Sequence, residues 1–126
     1  MSPVEKLFRA LATVVILAGC AAQPQVTESN WQPLCMSDLA PEKPQDWIRL
    51  CSAPIDSGKV HPAMLYLALT YRAYMYVELA EYDRAIADAD RALRLNPEYV
   101  WAYIHRGTAY KRSSRLDLAI ADFDQT

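Results

Sequence analysis

The chain has few residues of the kinds that build catalytic or cofactor sites. Among its 126 residues are three glycines and two histidines. Isolated glycines cannot form a glycine-rich loop around a phosphate group. His61 and His105 have no cysteine or carboxylate at a spacing typical of metal ligands. We therefore expect no metal, no cofactor and no catalytic activity.

An excess of positive charge is also absent. The chain carries 13 basic and 15 acidic residues, for a net charge of −2. Loss of the segment 1–19 would remove Glu5, Lys6 and Arg9 and change the net charge to −3. A protein that binds nucleic acid without sequence preference needs a basic face. The composition therefore argues against nucleic acid as a partner.

Long hydrophobic runs are missing as well. The main apolar run, Leu11–Ala18, is shorter than the roughly 20 residues that a membrane-spanning helix needs. It follows Lys6 and Arg9 and precedes Cys20, which is the order of segments in a secretory signal. We predict a signal segment at residues 1–19.

The end of this segment, Leu17-Ala18-Gly19-Cys20, resembles the lipobox of bacterial lipoproteins. In that family the cysteine thiol receives a diacylglycerol, the chain is cut before the cysteine, and the new amine is acylated. The resemblance implies lipidation of Cys20, and two or three acyl chains anchor a protein stably in a membrane. Ala21 replaces the Asp that retains such lipoproteins in the inner membrane, so the periplasmic face of the outer membrane is implied. The alternative is an ordinary signal peptide beside an incidental Cys20.

Polar residues and prolines dominate residues 20–43, where no apolar face repeats. This composition predicts a flexible tether in front of a folded domain at residues 44–126. Pro44 suits the first turn of a helix, which would present Trp47 on its apolar face. Pro54 is expected to end or kink that helix.

Cys35 and Cys51 are the cysteines outside the lipobox. Free thiols tend to pair in an oxidising compartment, so we predict a disulfide between them. It would close a loop of about 15 residues and contribute roughly 3 kcal/mol on the chain-entropy model. Two alternatives remain open. Cys51 could be a buried free thiol, or the two cysteines could belong to a metal site, although two cysteines without nearby histidines supply few of the ligands that zinc needs.

The most informative pattern is an internal repeat. Laying residues 66–92 over 100–126 gives nine identities in 27 positions, where random pairing would give roughly two. In the first copy, Ala85, Ala89 and Ala92 share a helix face with large apolar residues, so a neighbouring helix can approach closely. The identical pairs are Ala68/Ala102, Arg72/Arg106, Tyr76/Tyr110, Asp83/Asp117, Ala85/Ala119, Ile86/Ile120, Ala87/Ala121, Asp88/Asp122 and Asp90/Asp124.

The two copies contain the motifs Tyr-Arg-Ala-x-x-Tyr at residues 71–76 and His-Arg-Gly-x-x-Tyr at residues 105–110. With these motifs and this offset between the copies, the chain resembles the tetratricopeptide repeat, whose period is about 34 residues. The resemblance implies an all-α fold, an α-α superhelix of about two repeats. They would cover residues 66–99 and 100–126, with the second incomplete. The helix at Pro44 would be a half-repeat in front of them.

Four helices are expected in the repeats, over residues 62–79, 82–95, 98–112 and from about residue 115. The family usually has Gly in the turn between the two helices of a repeat, and this chain has Ala80 and Ser114 there. At these two turns the chain departs from the family's pattern.

Charged residues also recur in the repeats. We expect Arg72 and Arg106 to lie along apolar surface with their charged ends in water. Asp90 is expected to pair with Arg94 four residues later. Four aspartates are expected on outer helix faces: Asp88, Asp90, Asp122 and Asp124. A basic cluster is explained either by favourable placement at a helix C-terminus or by an anion or acidic-partner site: Arg106, Lys111, Arg112 and Arg115.

The resemblance further implies a concave groove lined by the inner helices. Aromatic anchors beside aliphatic residues suit an extended peptide or a partner helix. Thr70 and Tyr74 stand where the chaperone-type relatives use Lys and Asn to hold a C-terminal carboxylate, so that ligand is not expected. The implied groove residues are Leu67, Thr70, Tyr74, Val77, Glu78, Trp101, Ile104, Thr108, Lys111 and Arg112.

These observations predict a membrane-anchored scaffold or adaptor of the bacterial cell envelope that binds a protein or peptide. Two alternatives are an accessory repeat region of a longer envelope enzyme and a self-associating structural repeat. Repeat arrays generally need about three units, so we expect the chain to be a fragment or truncated product. Self-association through the uncapped C-terminal repeat is a further expectation.

Overall fold

The structure, a computed structural model, describes residues 42–126. The predicted signal segment, the lipidation site Cys20, nearly all of the tether and Cys35 lie outside the described residues.

Residues 42–126 fold into five α-helices and contain no strand. The helices are α1 (Pro44–Asp56), α2 (Pro62–Glu78), α3 (Tyr82–Leu95), α4 (Val100–Arg112) and α5 (Leu116–Phe123). The all-α prediction is confirmed for this part of the chain, and α2 and α3 match their predicted bounds to within one residue. Helix α4 begins two residues late, because the Asn96 side chain accepts a hydrogen bond from the Glu98 N–H (3.2 Å) and holds a turn there.

Helix α1 continues through Pro54, where the sequence predicted an end or a kink. Proline removes one backbone donor from a helix, and α1 runs on to Asp56. The turn that follows contains Gly58, whose φ of 70° lies in the left-handed region. The Lys59 N–H donates to the carbonyl of Pro54 at 3.0 Å, as in a Schellman motif. The exit turn was therefore predicted correctly, and Pro54 does not end the helix.

The turns after α2 and α4 use the same motif without glycine. Ala80 has φ 58° and Ser114 has φ 64°. The next N–H in each turn donates back across the helix end, from Glu81 to Tyr76 at 2.9 Å and from Arg115 to Tyr110 at 2.8 Å. Both turns therefore keep the geometry that glycine favours, although each carries a Cβ.

Replacing Ala80 with glycine is expected to stabilise the protein by about 0.5–1 kcal/mol, because glycine adopts positive φ without the steric cost that alanine has. Urea unfolding measures the change. The matched control is Ala87→Gly, at an exposed position inside α3. This change should lower the free energy of unfolding by about 0.5–1 kcal/mol. Equal losses in both variants would contradict a left-handed Ala80.

The helices pack mainly in chain order, α1 on α2, α2 on α3, α3 on α4 and α4 on α5, and α2 also contacts α4. One core cluster joins α1 to α2 and reaches α3 and α4, with Trp47, Cys51 and Leu69 fully buried. A second cluster joins α2, α3 and α4 and includes Ala85 and Ala89, both 0% exposed. The small residues therefore allow close helix approach, as predicted, and α2 is one of the helices that both clusters share.

Candidate functional site

A concave groove of about 370 Å³ lies between α2 and α4. Its sides come from equivalent helices of the two repeat copies, since Tyr71 and His105 occupy the same position of the repeat. The lining residues are Thr70, Tyr71 and Tyr74 from α2, Tyr99 just before α4, and Trp101 and His105 from α4.

His105 lies between two aromatic rings in this groove. Its ring stacks on Trp101, with centroids 6.1 Å apart and planes 24° apart. It also faces Tyr74 at 5.2 Å and 38°. Burial lowers the pKa of His105 below its usual value of 6.5, because a buried imidazole disfavours its charged form. This part of the groove is therefore uncharged at neutral pH.

Two further aromatic contacts join rings of the groove lining to rings outside it. Tyr71 stacks on the buried Trp47 of α1, with centroids 6.3 Å apart. Tyr99 meets Tyr66 edge to face at 4.9 Å and 79°, and burial raises the pKa of the Tyr99 phenol. Tyr71 and Tyr99 are therefore each held by a ring outside the groove lining, which limits their rotation.

Three of the predicted groove residues, Thr70, Tyr74 and Trp101, line the groove. Thr70 is only 2% exposed, and its hydroxyl donates to the carbonyl of Tyr66 at 2.8 Å within α2. Thr70 therefore helps to shape the groove wall but offers a ligand little polar contact.

The other predicted groove residues lie elsewhere. Val77 is 2% exposed and belongs to the second core cluster. Arg112 Nη1 approaches both Glu78 Oε1 and the carbonyl of Val77, each at 3.4 Å. Thr108 donates to the carbonyl of Ile104 at 2.7 Å. Those that are half-buried or exposed but outside the lining are Leu67, Glu78, Ile104, Thr108, Lys111 and Arg112.

The groove prediction missed Tyr71, Tyr99 and His105. Tyr71 and His105 each stand directly before the recurring arginine of their repeat copy. Two rings at one repeat position were a usable signal, because equivalent positions on adjacent inner helices face the same way.

The charged end of Arg72 is buried, which corrects the expectation that it lies in water. Arg72 Nε and Nη2 donate to both carboxylate oxygens of Asp88, at 2.5 and 2.9 Å. Its Nη1 donates to Asp56 at 2.8 Å. Burial alone would lower the pKa of Arg72, but its hydrogen bonds to Asp88 and Asp56 outweigh burial and raise it. One arginine therefore joins three helices, α1, α2 and α3.

Arg106 makes the same bridge one repeat later. Its Nε and Nη2 donate to Asp122 at 2.8 and 2.6 Å, and its Nη1 donates to Asp90 at 2.6 Å. Asp88 and Asp122 are 4% and 5% exposed, so the prediction that they lie on outer faces was wrong. The ion pair formed by Asp90 is with Arg106, where the sequence predicted Arg94.

Three members of the predicted basic cluster are held in ion pairs between helices. Arg106 pairs with Asp122 and Asp90. Arg112 lies 3.4 Å from Glu78, and Arg115 lies 2.6 Å from Asp83. Arg106 and Arg112 therefore join helices, and Arg115 joins the turn before α5 to α3, so ion pairs within the fold account for these three cations.

Cys51 is fully buried in α1 and is disulfide-bonded. Its predicted partner Cys35 lies outside the described residues, and the pairing stays a prediction. Within residues 42–126, no group of three or more His, Cys, Asp or Glu side chains could hold a metal ion. None of the described helices is both long and apolar enough to cross a membrane.

A scan against protein-family models and a search of solved structures found no match for the chain. The tetratricopeptide resemblance therefore depends on the residues of the repeat itself.

Proposed function

We propose that the protein is a tetratricopeptide-like adaptor, anchored by lipid in the bacterial envelope, that binds a protein segment in the groove between α2 and α4. The observation that carries this proposal is the set of exposed rings in that groove. Trp101 is 57% exposed, Tyr71 41% and Tyr74 39%. Large aromatic residues grouped in a concavity are typical of protein interfaces, where they anchor a partner.

The chemistry of the groove favours a peptide or a partner helix with apolar side chains. The lining is mostly aromatic, and its histidine has a lowered pKa. Its volume of about 370 Å³ lies at the low end of the range for ligand sites, about 300–1,000 Å³. A few side chains would fill it, while the rest of the ligand would lie over α2 and α4.

The proposed α-α superhelix is supported by the equivalence of successive helices. Asp56 in α1 and Asp90 in α3 are separated by one repeat period, and each accepts from the arginine 16 residues later. Helix α1 thus has the role towards α2 that α3 has towards α4. This supports the assignment of α1 as a half-repeat preceding two repeats at residues 66–99 and 100–126.

The first test begins with a partner captured from the native envelope by the intact protein. The affinity of that partner for the Trp101→Ala variant is then compared with its affinity for the parent. The purified partner should bind the variant about 30-fold more weakly, because hot-spot aromatics contribute about 2 kcal/mol or more. Leu95→Ala is the matched control, since Leu95 is 51% exposed and lies outside the groove lining. Equal affinities of the Trp101 variant and the parent would refute the groove as the binding site.

The anchor is proposed to be the lipidated Cys20, with a signal peptide at residues 1–19 and a tether at residues 20–43, in the outer membrane facing the periplasm. The bonded state of Cys51 agrees with an oxidising compartment. Cys20→Ala is expected to leave the protein unprocessed or release it from the membrane fraction. A variant that fractionates and migrates like the parent would exclude the lipid anchor.

A further inference from the structure

The disulfide at Cys51 ties an earlier part of the chain to the folded helices. Cys51 is buried in α1 and disulfide-bonded. The chain offers two partners for it, Cys20 and Cys35, and both lie outside the described residues. The lipid proposed for Cys20 uses the sulfur of that residue, which leaves Cys35 as the partner.

A bond between Cys35 and Cys51 gives the residues on its two sides different reach. Cys51 lies seven residues after Pro44, which is about 10 Å along α1. Residues 36–43 have to connect Cys35 back to Pro44, so they are committed to the length of α1. Residues before Cys35 have no such connection to make. Trp31, four residues before Cys35, can lie up to about 13 Å from it in an extended chain.

The groove between α2 and α4 lies at a matching distance from Cys51. Trp47 is one helical turn before Cys51, about 6 Å along α1. The Trp47 ring stacks on Tyr71 of the groove lining, with centroids 6.3 Å apart. Residues 31–35 are therefore long enough to run from the bond into the groove.

The segment Trp31-Gln32-Pro33-Leu34 also has the chemistry that the groove favours. These four residues carry no charge, and the groove lining contains no acidic, lysine or arginine side chain. Pro33 favours an extended conformation at the residue before it, and extended segments with proline dock in aromatic-lined grooves. An indole, a proline ring and a leucine side chain suit a groove of about 370 Å³ with aromatic walls.

We propose, building on the function proposed for the groove, that the chain's own segment Trp31–Leu34 occupies the groove when no partner is bound, held beside it by the disulfide to Cys51. Leu34 lies towards Tyr71, and Trp31 lies towards Trp101. A partner has to displace this segment. The apparent affinity for a partner is therefore lower than the affinity of the open groove.

The test places a photoreactive aromatic residue in the intact protein in its own envelope. p-Benzoylphenylalanine replaces Trp31, and mass spectrometry locates its cross-links after irradiation and tryptic digestion. We expect cross-links within one chain to the peptides 73–84 and 95–106, which contain the groove residues Tyr74 and Trp101.

Two controls test the position of the label and the role of the disulfide. Leu39 lies as many residues after Cys35 as Trp31 lies before it, and the same label at Leu39 should give no cross-link to these peptides. Combining the label at Trp31 with Cys35→Ser should lower the cross-link yield several-fold, because the segment loses its attachment beside the groove.

A binding measurement checks that the segment competes for the groove. The probe is a fluorescent peptide with the sequence of residues 28–37 and the change Cys35→Ser. It should bind the full-length variant Trp31→Ala/Leu34→Ala about tenfold more tightly than the parent, because the groove of the variant is open. Adding Trp101→Ala to that variant should remove most of the peptide binding.

Three results would overturn the proposal. The first is a set of cross-links from position 31 that misses the groove, joins two copies of the chain or reaches another protein. The second is an unchanged yield in Cys35→Ser. The third is a peptide that does not bind, or that binds the parent and the double variant equally. If the captured partner binds Trp101→Ala as tightly as the parent while the cross-links persist, the proposed function fails and this occupant of the groove stands.

Discussion

Replacement of Arg72 with methionine is expected to destabilise the protein by about 3–5 kcal/mol. The side chains of Arg72 and Asp88 are each 6% exposed, so the variant would leave a buried carboxylate without its cation. Denaturant unfolding should show a lower midpoint at an unchanged slope. The effect should exceed that of Arg106→Met, because the Arg106 side chain is 20% exposed and water can partly replace its contacts.

The double variant Arg72→Met/Asp88→Leu separates the loss of the ion pair from the burial of an unpaired charge. It should recover most of the lost stability, since buried ion pairs are often replaceable by apolar residues of similar size. The matched surface control is Arg84→Met, whose side chain is 68% exposed and pairs with Glu81; its cost should stay below about 1 kcal/mol. A double variant as unstable as Arg72→Met would contradict this account.

Replacement of Trp47 with alanine is expected to cost a similar amount, about 3–5 kcal/mol. Trp47 is 1% exposed and belongs to the cluster that joins α1 to α2. The lost ring leaves a cavity that a short helix cannot fill by shifting. Because Trp47 also stacks on Tyr71, the variant should weaken binding in the groove as well.

The matched control for Trp47→Ala is Trp101→Ala. Both remove an indole, but Trp101 is 57% exposed, so its unfolding free energy should change by only about 0.5 kcal/mol. The Trp101→Ala change should therefore lower binding affinity with little effect on stability, whereas Trp47→Ala should lower both. If Trp47→Ala unfolds at the same denaturant concentration as the parent, α1 does not belong to the cooperative fold.

The positions of the repeat helices could be predicted because two signals agreed. Apolar spacing marked the inward faces, and the repeat period marked equivalent helices. Pro54 does not end α1, because a proline within the last turn removes only one helix bond and the Gly58 turn supplies the terminal contacts.

The burial of Asp88 and Asp122 was mispredicted because an aspartate in an amphipathic helix usually lies on the outer face. Asp88 lies three residues after Ala85 and four before Ala92, on the inward face of α3. Its recurrence as Asp122, together with Arg72 and Arg106, was the signal of a repeated buried pair. What periodicity cannot give is the partner across the interface. Among the groove residues it offered no signal for Tyr99, whereas Tyr71 and His105 share a repeat position that could have indicated them.

The two bridging arginines also bear on how quickly the chain can fold. Arg72 bonds to carboxylates 16 residues before and after it, and Arg106 does the same. Contacts at such short sequence separation close small loops, which is typical of rapidly folding helical proteins. A chain that emerges with its N-terminus first can therefore complete each bridge as soon as the next aspartate is released, without waiting for its C-terminus.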